Sequence, residues 1–148
     1  MENLSDFMVG QAPLFPVRED MGPRDWGKET LLCLVAGEFM MKELNIVAGS
    51  KGGLQFHRLK NECAILLEGE MCVRHTSPDG KLVERILGPG DVVHFPPGVV
   101  HQEEAITDCR LIECSTPHFN DRVRMEEYFG LETEGGLKTT LGEEIISK

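Results

Sequence analysis

No apolar stretch of this chain approaches the roughly 18 residues that a membrane-spanning helix needs, so a helical membrane span is not expected. The opening residues, Met1-Glu2-Asn3-Leu4-Ser5-Asp6, lack the basic and apolar regions of a secretory signal, which places the expected location in the cytoplasm. A stripe of basic residues is missing too: 15 Lys and Arg stand against 25 Asp and Glu, a formal net charge of −10. Nucleic-acid binding requires a positive surface that displaces counterions, so no nucleic-acid partner is expected. The five cysteines, Cys33, Cys63, Cys72, Cys109 and Cys114, contain no CxxC pair and are odd in number. Buried free thiols in a reducing compartment are the simplest account of them. No internal repeat is visible, and the single Trp26 and single Tyr128 suggest packing and nothing more specific.

What the chain does contain is enough for one domain with a sizeable core: 148 residues, 41% of them hydrophobic. Short apolar runs alternate with turn signals, the pattern of an all-β barrel or sandwich. Strands are expected over 31–35 and 40–47, split by Gly37, then from 54, over 63–67, 71–75, 82–87 and 92–95, and finally over 101–106 and 110–114. Ser77-Pro78-Asp79-Gly80 is a hairpin turn, because Pro pre-sets its φ and Gly accepts a positive one. Residues 1–30 carry Pro13, Pro16, Gly22, Pro23 and Gly27 and read as an irregular arm with at most a short strand. Such an arm, with the open edge of a barrel, makes a homodimer the expected assembly. The barrel proper is expected over 31–116, and a C-terminal helix and tail over 117–148. The helix is placed at 120–128, capped by Asn120; beyond Gly130, Leu137, Leu141, Ile145 and Ile146 are available to dock the tail.

Two motifs carry the chemistry. The first is Gly49, five residues, Gln55-x-His57, four residues, Glu62, six residues, Gly69; the second is Gly90, five residues, Pro96-x-Gly98, two residues, His101. Side chains on a strand alternate with a period of two, so Gln55 and His57 share a face. Glu62 follows a short turn at the head of the next strand, and His101 arrives after the Pro96-Pro97-Gly98 turn. These are the spacings of the two cupin motifs, and the chain resembles the cupin superfamily. Within it, the resemblance is to cupin-type phosphomannose isomerases and related sugar-processing barrels. They share the Gln55-x-His57 pair followed by Glu62, a strand like Leu111-Ile112-Glu113-Cys114, and a segment like residues 120–130. Leu59 and Leu131 depart from that family's pattern.

The resemblance implies a cupin double-stranded β-helix, that is, a jelly-roll barrel. It also implies one divalent metal ion held by Gln55, His57, Glu62 and His101, with Gln55 in place of the usual first histidine. A set of imidazoles, carboxylate and amide oxygen suits Zn first, with Fe, Mn, Ni and Co as alternatives, and leaves positions open for substrate. The implied activity is isomerisation or epimerisation of a sugar or sugar phosphate, which moves a proton next to a carbonyl. Glu113 is the expected general base or hydroxyl binder, Arg124 the expected anion or hydroxyl ligand, and Lys60 the cation near the barrel mouth. His94, His75, His118 and Glu68 read as packing or surface groups. Two other classes fit the same motifs: an Fe(II)- or Ni-dependent oxygenase or lyase on a small organic substrate, and a non-catalytic small-molecule binding barrel.

Overall fold

A computed structural model describes residues 3–8 and 10–145. Its eleven strands are β1 (Glu19–Arg24), β2 (Gly27–Val35), β3 (Phe39–Ile46), β4 (Gln55–His57), β5 (Glu62–Glu68), β6 (Met71–Thr76), β7 (Leu82–Leu87), β8 (Val92–Phe95), β9 (His101–Ala105), β10 (Cys109–Ser115) and β11 (Arg122–Arg124). They form two antiparallel sheets, one ordered β1-β2-β3-β10-β5-β8 and the other β11-β4-β9-β6-β7. The jelly-roll barrel expected from the sequence is what forms. No helix among the described residues is long and apolar enough to cross a membrane.

Alternation decides what lies between the sheets. On β3, Met40, Lys42, Leu44 and Ile46 are buried while the residues between them face outward. On β10, Cys109, Leu111, Glu113 and Ser115 point in. Register then stacks like with like: Leu111 pairs with Leu44 on one side and Leu66 on the other, whereas Glu113 pairs with Lys42 and Ala64. One end of the barrel is therefore an apolar floor of Leu44, Ile46, Leu66, Met71, Val73, Leu87, Phe95 and Leu111. The other end is lined by buried polar side chains, and that is where the motif residues gather.

Tight turns hold this arrangement. Gly69, between β5 and β6, has φ 94°, and a Cβ there would lie 2.2 Å from the Asp108 carbonyl oxygen, so only glycine fits.

The C-terminal segment differs from expectation. Residues 120–128 form no α-helix; they contribute β11 and then a single 3-10 turn, Glu127–Phe129. β11 pairs with β4, placing Arg122 opposite His57 and Arg124 opposite Gln55. A three-residue strand such as β4 would otherwise present an open edge, and covering it satisfies backbone groups that a local helix would leave exposed. Asn120 does not cap a helix; its amide donates to the Glu144 carbonyl at 2.6 Å. Nor do leucines dock the tail: Leu137 and Leu141 are exposed, and Ile146 lies outside the described residues. The tail is held by arginines, through Arg58 Nη1 to the Thr140 carbonyl at 2.6 Å and Arg124 Nη1 to the Gly135 and Leu137 carbonyls at 2.9 and 3.0 Å. At the other terminus, residues 19–24 of the expected arm are an ordered strand on the edge of the six-stranded sheet.

Candidate metal centre

His57, Glu62 and His101 come from β4, β5 and β9, and their ligand atoms all lie within 4.8 Å of one another. His57 Nε2 is 3.6 Å and His101 Nε2 is 3.2 Å from Glu62 Oε1. Both rings are oriented from behind. His101 Nδ1 lies 3.0 Å from the Val99 carbonyl oxygen. A carbonyl only accepts, so Nδ1 carries the proton and the Nε2 lone pair faces the cluster. His57 Nδ1 lies 2.9 Å from Asp121 Oδ1, which fixes the same tautomer. Phe95 stacks on His101 with centroids 3.8 Å apart and planes 7° from parallel. Two imidazoles anchored at Nδ1 and converging through Nε2 on a carboxylate are the donor set and orientation that a divalent cation needs.

Asp121 escaped the reading of the sequence as a site residue. It is fully buried, and besides His57 it accepts the backbone N–H of Leu59 at 2.8 Å and of Lys60 at 2.7 Å. Burial alone would raise its carboxyl, but these three donors outweigh it and hold the group far below the usual carboxylate range. It ties the turn between β4 and β5 to the start of β11. Gln55 sits opposite His101 in register and shares the strand face of His57.

Lys60 and Glu113, both singled out from sequence, are buried inside the barrel. Lys60 Nζ makes a close ion pair with Glu62 Oε2 and a second, at 2.8 Å, with Glu113 Oε1. Burial opposes its charge, yet the two carboxylates push its ammonium well above the ordinary lysine range, so it stays charged. Glu62 is likewise held well below its ordinary value: burial opposes, and Lys60 followed by the two histidines prevails. His101 is raised, with burial opposing and Glu62 outweighing it. The ion pair to Glu113 Oε1 lies off the hydrogen-bonding direction, and neither that oxygen nor the buried Ser115 Oγ has a hydrogen-bond partner. Ser115 is the cross-strand neighbour of Glu62. Unpartnered polar atoms at such depth fit an interior that a bound ion, water or substrate completes.

Glu103, also missed, lies two residues beyond His101 on the same face of β9, opposite Val73 of the core. Burial, with Glu62 and Glu113 nearby and His101 opposing, pushes its carboxyl up to about 7. The parity of His101 and Glu103 on one strand was the available signal.

Arg124 has a different occupation from the one expected. Its side chain is buried, its partner is Glu126 rather than Asp121 or Glu127, with Nη2 to Oε1 at 2.5 Å, and its remaining donors hold carbonyls of residues 134–137. Gly53 makes room for it, since a Cβ there would lie 2.5 Å from Arg124 Nε. His94 is exposed and bonds Asn61 at 2.7 Å, and Glu68 pairs with Arg110 on the surface at 3.5 Å.

The cupin domain family matches residues 43–114, a span that runs from β3 to β10 and contains every member of the cluster except Asp121. The barrel is a cupin. Over 74 residues it is 30% identical to germin-like protein subfamily T member 3 of Arabidopsis thaliana, a match covering 49% of this chain and 33% of that protein. The chain thus spans about a third of that relative's length. Among solved structures, the capsular polysaccharide assembling protein CapF of Staphylococcus aureus superposes on this cupin with a TM-score of 0.59 at 19% identity, over 74% of this chain and 30% of that one. KdgF from Halomonas sp. gives 0.56 at 16% identity, over 66% and 85%. At these identities the two structures attest the cupin fold alone.

Proposed function

We propose that this cupin is a metal-dependent isomerase or epimerase of a sugar. The observation that carries the reading is the convergence of two Nδ1-anchored histidines on Glu62 inside the barrel. His57, Glu62 and His101, with Gln55 from the face of β4, would hold one divalent ion, Zn before Fe, Mn, Ni or Co. Such an ion supplies Lewis acidity toward a carbonyl oxygen.

The chain's own residues do the rest. Lys60, a permanent ammonium between Glu62 and Glu113, fixes both carboxylates and adds positive potential beside developing negative charge. Glu113 is held by that pair, whereas Glu103 has no ion pair or side-chain hydrogen bond. Glu103 is therefore assigned the proton transfer: its carboxylate oxygen takes the proton from the carbon beside the carbonyl and returns it to the same or the neighbouring carbon. With Arg124 engaged elsewhere, the cation expected for a phosphate is gone, which favours an unphosphorylated sugar. The segment 55–62 supports the sugar class through its resemblance to sugar-processing cupins.

The test is solvent deuterium exchange by NMR across a panel of aldoses, ketoses and their phosphates, with metal content measured in parallel. Exchange that chelation abolishes and that Glu103→Gln removes while metal content stays intact is the expected result. Full metal occupancy with no exchange on any sugar would leave a non-catalytic binding barrel, a reading favoured by the deep burial of His57, Glu62 and His101.

A further inference from the structure

The outer face of the six-stranded sheet carries a row of sulfur side chains that the cluster inside does not use. Cys63 of β5 and Cys114 of β10 are direct cross-strand partners. Met41 and Cys33 continue the row on one side and His94 on the other. The expectation of buried thiols holds for Cys72 and Cys109 but not here: Cys63 is exposed and Cys114 is half-buried. Direct partners in an antiparallel pair have Cα atoms about 4.5–5.5 Å apart with side chains on one face, inside the roughly 4.4–6.8 Å window that a disulfide spans.

We propose that Cys63 and Cys114 form a reversible dithiol–disulfide pair, a modification site on the outer wall of the barrel that reacts with low-molecular-weight disulfides such as oxidised glutathione. The exposed Cys63 reacts first. Its thiolate sulfur bonds to one glutathione sulfur, the glutathione S–S bond breaks, and one glutathione thiolate leaves. The Cys114 thiolate then attacks Cys63 Sγ, the mixed S–S bond breaks, and a second glutathione thiolate leaves. Two protein thiols have been oxidised, one glutathione disulfide has been reduced to two thiols, and the two protons lost by the cysteines pass to solvent or the departing thiolates. Burial, then the neighbouring Cys63, raises the Cys114 thiol, in keeping with the order of attack. The crosslink would join the two strand segments whose inner faces carry Glu62 and Glu113.

The experiment equilibrates the full-length protein in glutathione redox mixtures, quenches by alkylation and maps cysteines by peptide mass spectrometry. Expected is a monomer that has lost two hydrogens, with Cys63 and Cys114 in one linked peptide pair, reversed by dithiothreitol. Cys33→Ser should keep the link, and Cys114→Ser should trap Cys63 as a stable glutathione adduct. A Cys63 adduct that persists with Cys114 present, a link through Cys33, or a disulfide between two chains would each overturn the proposal.

Discussion

Asp121 accepts three hydrogen bonds with none of its surface exposed, and one of the three sets the direction of a ring in the cluster. Asp121→Asn keeps the shape but removes the charge and turns one acceptor into a donor, facing either His57 or the two backbone N–H groups. Metal affinity is expected to fall about 10- to 100-fold, the usual consequence of disturbing a ligand's outer partner, as read by chelator competition. A fall in melting temperature with unchanged affinity would make Asp121 a brace for the turn only. Residues of this kind explain what was and was not legible in the sequence. Gln55, His57, Glu62 and His101 show themselves through period-two spacing and the glycine and proline turns that frame them. Asp121 and Glu103 matter because of what other strands bring alongside, His57 from β4 and Val73 from β6, and spacing within one segment carries no trace of that.

β11 shows the same limit at the scale of an element. Arg-Met-Glu-Glu-Tyr has good local helix propensity, but the hydrogen bonds offered by the edge of β4 are non-local and prevail. The strand also anchors the tail, through Arg124 to the carbonyls at 134, 135 and 137 and to Glu126, which in turn accepts the Leu54 N–H at 3.0 Å. Arg124→Ala leaves the Glu126 carboxylate buried without its cation. A loss of about 3–5 kcal/mol is expected, measured by urea denaturation, with metal content unchanged in protein that remains folded. Unchanged stability with impaired turnover would instead return Arg124 to the role of substrate ligand that the sequence suggested.

At the scale of the whole molecule, a chain of net charge −10 keeps several charges inside its wall, each matched to a partner of opposite sign. Glu29 meets Lys42 at 2.7 Å and Arg24 at 2.8 Å. Burial pushes its carboxyl up, but the two cations prevail and hold it below its ordinary 4.5. A carboxylate depressed in the folded state contributes stability above its unfolded pKa and loses that contribution as pH falls through the folded one. Glu29→Gln should therefore be less stable than the parent near neutrality, by about 3 kcal/mol, and the gap should narrow below about pH 4, checked by denaturation at both ends. A gap independent of pH would assign the loss to packing. Lys60 gives the interior a further property. With Glu62 and Glu113, its ammonium leaves one net negative charge; a dication arriving there would leave one net positive charge. The cavity thus attracts an ion, inverts its own sign on accepting it, and from then on repels a second ion while drawing in the negative oxygen of a reacting sugar.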